Sequence, residues 1–320
     1  MFQPRRSLAG ARVLVTGATG FLGSHVTATL AAEGAEVHAL RTAAHRAPRV
    51  PVPPVSWHEL TLVEGRRVAG VVRAIDPDVV IHLAAYGASS AERDPQRIVE
   101  VNVLGTWNLL QALPARSRLV MTGTCAEYGQ VFGAAHERMA CRPASAYPAA
   151  KHAAVTLATA QARESGREVV VLRPYGPFGP GDDPLRAIPN AIEALLLGQD
   201  VALTDGGQLR DFSYVDDHVD AILRAATVAG LEPGAIYNVG TGRPTTVRAA
   251  LEQVARLVGG PGRLMFGARP TRPDDLRELV PDVAAARRDL GFEARTPFAD
   301  GLARTVAWAR ARLTAPERHT

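Results

Sequence analysis

A doubly wound α/β fold, a parallel sheet with helices on both faces, follows from three observations in this 320-residue sequence. Strand-like and helix-like patterns alternate from Arg12 to Arg173, as they must where helices connect parallel strands. The runs Val79-Val80-Ile81 and Val169-Val170-Val171-Leu172 are apolar at every position, as expected of strands buried on both faces. Between the first strand and the first helix lies Gly17-Ala18-Thr19-Gly20-Phe21-Leu22-Gly23. Glycines at that junction let backbone approach a pyrophosphate at a helix N-terminus, which makes this a Rossmann-type, dinucleotide-binding opening.

Each element has its own justification. Arg12–Thr16 is an apolar strand, and Phe21–Glu33 a helix whose Val26, Leu30 and Ala31 share one face. Glu36–Arg41 is the second strand, and the proline-rich stretch Pro48–Pro54 a loop. Helix Glu64–Ile75, strand Val79–Leu83, a single helix Pro95–Leu113 and strand Arg118–Thr122 continue the rhythm. Helix Ala146–Glu164 and strand Val169–Arg173 close it. Beyond Arg173, Pro177, Gly179, Pro180, Gly181 and Pro184 announce loops and short helices.

Composition narrows the function. Hydrophobic residues make up 47% of the chain and charged ones 21%, enough for a core and against bulk disorder. The net charge of +4 is modest and the arginines are scattered, which argues against nucleic acid and suits an anionic small molecule. Two cysteines, Cys125 and Cys141, are too few for a disulfide framework or a metal cluster. No apolar run is long enough for a membrane span and no signal peptide is evident, so a cytoplasmic protein is expected.

Lys151 is the only lysine among 36 basic residues. Such isolation suggests a site that needs a compact ammonium rather than a planar guanidinium. Tyr147 lies four residues earlier, on the same helix face, with Pro148 tolerated in the first turn. A nearby cation favours phenolate, so the tyrosine pKa is expected to fall towards neutrality.

These features resemble the extended short-chain dehydrogenase/reductases that act on nucleotide sugars. The likeness runs from about Arg12 to Arg312 through ordered motifs: TGATGFLG at Thr16–Gly23, DVVIHLAA at Asp78–Ala85, Asn102-x-x-Gly105-Thr106, and TGTCAEYG at Thr122–Gly129. The Tyr147/Lys151 pair, LRPYGPFGPGD, GGQLRDFSYVDD, IYNVGTG and RPTRPDD follow. The resemblance implies a Rossmann domain over 1–173, receiving about 211–240 as well, and an interleaved nucleotide-sugar lobe over 174–320. It also implies a homodimer paired through the helices at Pro95–Leu113 and Ala146–Glu164.

For the cofactor, the resemblance implies contacts from Gly17, Gly20, Phe21, Leu22 and Gly23, from Glu59 and Leu60, and from Leu83, Ala84 and Ala85. Pro174, Tyr147 and Lys151 would complete them, and Asn102 would support the active-site framework. An acidic residue normally ends the second strand and binds the ribose hydroxyls of NAD. Here Arg41 stands there. A guanidinium suits a 2′-phosphate, with His45 and Arg46 near it in sequence, so NADP is preferred and NAD is the alternative.

For the chemistry, the resemblance assigns Tyr147 to proton transfer, Lys151 to the nicotinamide ribose and Thr124 to the reacting oxygen. Arg210, Arg272, Asp275 and Cys125 would meet the sugar nucleotide. Dehydratases of this type carry Asp-Glu where this chain has Cys125-Ala126. Glu127 sits one place too late and points elsewhere if the segment is extended. A 4-ketoreductase of an NDP-4-keto-6-deoxyhexose is therefore favoured, with a 4-epimerase holding NAD as the alternative. A dehydratase using Cys125, or a non-catalytic dinucleotide sensor, ranks lower. Gly176 replaces an asparagine of the pattern and removes an amide near the substrate phosphates.

Overall fold

The computed structural model describes residues 7–44, 47–271 and 275–314. Seven parallel strands form the main sheet: β1 (Arg12–Thr16), β2 (Glu36–Arg41), β3 (Ser56–Glu59), β4 (Val79–His82), β5 (Arg118–Thr122), β6 (Val169–Pro174) and a last strand, Ala235–Val239. Their spatial order is Ala235–Val239, β6, β5, β4, β1, β2, β3. Between β1 and β4 the order reverses, and open α/β sheets take their ligands at that point, at the carboxyl ends of the strands.

Side-chain alternation sorts the apolar residues into two cores. Val13, Val15, Ile81, Val120 and Val170 face α1 (Phe21–Ala32) and α7 (Val215–Thr227). Leu14, Val80, Leu119, Met121 and Val171 face α2 (Gly65–Ile75), α4 (Gly105–Ala112) and α5 (Ala146–Ser165). Uninterrupted apolar strands are thus explained: both faces are covered.

Two differences from expectation concern the elements themselves. Strand β3, at the edge just after the expected Pro48–Pro54 loop, was not among the expected elements, because Ser56-Trp57-His58-Glu59 lacks an apolar run. The helix expected at Pro95–Leu113 is divided into α3 (Pro95–Val99), a π-helical turn Glu100–Leu104 and α4. A π turn often marks a functional position, and Asn102 lies inside this one, buried.

A third core joins α6 (Ala187–Leu196), α8 (Val247–Val258) and α10 (Phe298–Thr314), through Ile188, Ile192, Leu251, Val254 and Leu302. Short ladders tie it together. Pro177–Phe178 pairs with Ser213–Tyr214, and Leu209–Arg210 lies between Thr245–Thr246 and Glu278–Leu279. The strand Ala235–Val239 pairs with β6 and returns the chain to the main sheet, followed by α9 (Ala284–Asp289). Among the described residues no helix is long and apolar enough to cross a membrane.

Candidate active site

The glycine turn is tight for a steric reason. Gly17 has φ +68°, and a Cβ on it would lie 2.6 Å from the Ala84 nitrogen. On Gly23 a Cβ would lie 1.9 Å from the Gly17 carbonyl oxygen, whereas on Gly20 the same contact would be 3.2 Å. The first and third glycines therefore allow α1 and the end of β4 to approach the turn. Phe21 and Leu22, in the first turn of α1, are partly buried against the third core.

A chain of hydrogen bonds holds the backbone beside that turn. Thr16 Oγ1 accepts from Ala84 N–H at 3.3 Å and lies 2.7 Å from His82 Nδ1. His82 Nε2 is 2.9 Å from Thr106 Oγ1, whose own hydrogen goes to the Asn102 carbonyl at 2.6 Å. That direction requires His82 to carry its proton on Nε2 and to accept at Nδ1. Burial, aided by the Lys151 charge, lowers the His82 pKa to about 3, so the imidazole is neutral. Asn102 then grips Tyr86 twice, donating to its carbonyl at 2.7 Å and accepting from its N–H at 3.1 Å. The sequence marked Asn102 but not His82, whose role depends on three distant hydroxyl and carbonyl partners.

Tyr147 and Lys151 sit one turn apart on α5. The Tyr147 ring flanks the Tyr86–Gly87 loop, since a Cβ on Gly87 would approach its Cδ2 to 3.2 Å. The expected depression of the phenol pKa is not found. Burial pushes it up, and the nearby Cys125, Glu127 and Glu92 push the same way. Desolvation outweighs any benefit from the ammonium. Lys151 is 1% exposed, and burial lowers its pKa to about 8 against the opposing pull of Glu127.

Thr124 caps a 3-10 turn, Cys125–Tyr128, in a capping box with Glu127. Glu127 Oε1 accepts from Thr124 N–H at 2.7 Å, and its Oε2 accepts from Arg173 Nε and Nη2 at 3.0 and 2.8 Å. The fully buried Glu127 is thus engaged by Thr124 and Arg173, and the segment is helical rather than extended. Cys141 and His152 also approach Glu127, but the Arg173 guanidinium already supplies the positive charge at that cluster.

Arg41, at the end of β2, lies over Trp57 at 5.5 Å and is opposite Glu59 in the β2–β3 register. Its Nε is buried with no hydrogen-bond partner among the described residues. Leu60 is buried and donates to the Arg41 carbonyl at 2.9 Å. Leu83 follows β4 and donates to the Thr16 carbonyl at 3.1 Å, with Ala84 and Ala85 next. Pro174 ends β6 opposite Val239. Nearly all the expected cofactor residues therefore gather at the carboxyl edge of the sheet.

A cleft of about 360 Å³ lies on the other side of Cys125, bordered by Gly176, Phe178, Arg186, Arg210 and Phe212. Arg210 donates to Asp275 Oδ1 at 2.8 Å, so Asp275 holds the guanidinium. Arg272, His45 and Arg46 lie outside the described residues. Arg186 was missed by the sequence reading because nothing local distinguishes it among many arginines.

The NAD dependent epimerase/dehydratase family matches residues 13–240. The UDP-glucose 4-epimerase of Mycolicibacterium smegmatis is 33% identical over 316 residues, covering 93% of this chain and 98% of that protein. The GDP-6-deoxy-D-mannose reductase of Pseudomonas aeruginosa is 34% identical over 257 residues, covering 76% and 79%. MoeE5, solved in complex with UDP-glucuronic acid and NAD, superposes with a TM-score of 0.83 at 33% identity, covering 94% and 99%. The chain belongs to the NAD dependent epimerase/dehydratase family. It is an enzyme of the extended short-chain dehydrogenase/reductase type, since the relatives it matches are epimerases, dehydratases and a reductase of nucleotide sugars.

Within this family a nicotinamide dinucleotide fits the residues present. The glycine turn leaves backbone exposed where a Cβ would intrude, and two buried cationic groups have unused donors. Those are Arg41 Nε and the Lys151 ammonium, which has no hydrogen-bond partner among the described residues. In the neighbouring cleft, burial raises the Cys125 pKa to about 11, so the thiol stays protonated.

Proposed function

We propose that the protein reduces the 4-keto group of an NDP-4-keto-6-deoxyhexose, using NADPH. The observation that carries this reading is Arg41 at the end of β2, with its buried, unpartnered Nε where a carboxylate would serve NAD. A bound nicotinamide would supply hydride to the sugar carbon. Tyr147 gives its phenolic proton to the carbonyl oxygen, and Thr124 donates a hydrogen bond to that oxygen. A phenol held protonated by burial suits reduction, in which it must begin as the acid. Cys125 and Ala126 offer no carboxylate pair for water elimination. Arg210 and Arg272 bind the diphosphate, and Asp275 orients Arg210.

A second reading, a 4-epimerase that retains NAD, is favoured by the likeness to a UDP-glucose 4-epimerase and to the NAD complex of MoeE5. Pairing of two copies belongs to either reading. Val99, Leu104, Trp107 and Leu157 expose 54, 44, 40 and 38% of their surface on the two helices expected to pair. The deciding experiment incubates the protein with NADPH or NADH and a panel of NDP-4-keto-6-deoxysugars and NDP-hexoses, with products identified by NMR. Stoichiometric NADPH oxidation and a 4-hydroxy product are expected. Interconversion of NDP-hexose 4-epimers without net cofactor consumption would replace the ketoreductase with the epimerase.

A further inference from the structure

We infer that Arg186 is a diphosphate-binding residue, acting beside Arg210 on the nucleoside diphosphate of the substrate. The inference rests on the nucleotide-sugar reading above and adds a residue to its site. Arg186 directly precedes α6 and Arg210 lies in Leu209–Arg210, yet both border the same cleft. Each is held in place. Arg186 Nη1 donates to the Pro177 carbonyl at 2.9 Å and to Asp182 Oδ1 at 3.1 Å. The Asp182 side chain is 3% exposed and also accepts from Asp183 N–H at 2.8 Å, so its grip is set from inside the protein. Arg210 Nη1 donates to the Leu209 carbonyl and Nη2 to Asp275 Oδ1, both at 2.8 Å.

Donor counting shows what remains. A guanidinium has five N–H donors in a planar fork. Arg186 uses only Nη1, which leaves Nε–H and the Nη2 hydrogens without a partner among the described residues. Arg210 retains its Nε–H and one Nη2 hydrogen. Gly176, which also borders the cleft, contributes no side chain. Gly176 has φ +40°, and a Cβ there would lie 2.0 Å from the Asp211 carbonyl oxygen. Asp183 also borders the cleft, but its Oδ1 accepts from Leu185 N–H at 2.9 Å and shapes the turn before α6. Asp182 and Asp275 balance the two guanidinium charges, so recognition depends on the unused donors more than on net charge. Two forks match oxygens on two phosphorus centres, whereas a monophosphate engages one.

The test titrates UDP, GDP, dTDP and their monophosphates calorimetrically into wild type, Arg186→Ala and Arg186→Lys. Wild type is expected to bind one nucleoside diphosphate at least about tenfold more tightly than its monophosphate. In Arg186→Ala the diphosphate affinity should fall about 10- to 100-fold and the monophosphate affinity less than about threefold, so that the ratio collapses. Arg186→Lys should recover part of it, and cofactor affinity should hold in both variants. A merely structural Arg186 would weaken all ligands together. An unchanged diphosphate-to-monophosphate ratio in Arg186→Ala overturns the inference while leaving the nucleotide-sugar reading intact. Failure of wild type to bind any of the three diphosphates overturns both.

Discussion

The glycine turn at 17–23 and the cleft wall at 176–186 both depend on glycine, but the constraints come from different distances along the chain. Gly23 is required by Gly17, its neighbour across one turn, and Gly17 by the strand that pairs next to β1. Gly176 is required by the Asp211 carbonyl, and Gly181 by Arg49 and Val50, whose atoms a Cβ there would approach to about 3.0 Å. The Gly23 contact is local, whereas those at Gly17, Gly176 and Gly181 come from segments remote in sequence. Local geometry repeats wherever a strand, a turn and a helix hold a pyrophosphate. Convergent geometry is particular to one chain.

The largest expected effect tests the local region. Gly23→Ala puts a methyl 1.9 Å from the Gly17 carbonyl oxygen, a clash with backbone that no rotamer relieves. Dinucleotide affinity, read by cofactor fluorescence titration, should fall more than about 100-fold, accompanied by a lower Tm. Gly20→Ala, at 3.2 Å, should cost less than about tenfold. Equal tolerance of the two substitutions would break the steric account of the turn.

The contrast between the regions also explains what could be read from the sequence. The main sheet, its two cores and the gathering of residues 17–23, 41, 83–85 and 147–151 at one edge were legible, because period and glycine placement are local signals. Strand β3 was not, since its partner β2 supplies the pairing that Ser56–Glu59 does not advertise. The π turn at Glu100–Leu104 was hidden for a similar reason: it serves Asn102's reach to Tyr86, a loop on another element. Arg186 and the Arg173–Glu127 ion pair arise only when segments far apart in sequence converge. The sign of the Tyr147 shift was missed because spacing predicts a charge neighbour but says nothing of desolvation.

A medium effect sharpens the comparison at Lys151, where the local spacing was right and the environment altered the chemistry. Burial holds its pKa at about 8 in the free protein. A cofactor that accepts hydrogen bonds from the ammonium favours the charged form and raises that pKa. Binding near pH 8 to 9 should therefore take up protons, and affinity should decline as pH rises through that range. Calorimetry in buffers of differing ionisation enthalpy measures the uptake, which Lys151→Met should abolish. The folded state below pH 8 carries the full cost of the buried charge. Because the folded pKa lies below the unfolded value of 10.5, that cost is relieved as pH rises from about 8 towards 10.5. The ligand-free protein should thus gain a contribution to stability over the range in which cofactor affinity is lost. Tyr147→Phe separates the pair: turnover should fall about 10²- to 10⁴-fold while proton uptake persists.

The smallest effect concerns Arg41, which sits at the outer limit of the locally determined region. Its place at the end of β2 is fixed by the strand, but its guanidinium is set by Trp57 on β3, at 5.5 Å. If Nε and its neighbours meet a 2′-phosphate, NADPH should bind about tenfold more tightly than NADH at low ionic strength. Added salt should narrow the gap, since one partner is a mobile multivalent anion in a partly open site. Arg41→Asp replaces attraction with repulsion and offers the ribose hydroxyls an acceptor, so the preference should invert. Trp57→Ala should relax the preference without inverting it, because the charge remains while its orientation is lost. Inversion in both variants would mean that the stacking against Trp57, and not the charge at 41, selects the cofactor. A wild type that prefers NADH would remove the main support for the ketoreductase and move the proposal to the epimerase, whose hydride returns to the same sugar and needs no exchange of cofactor.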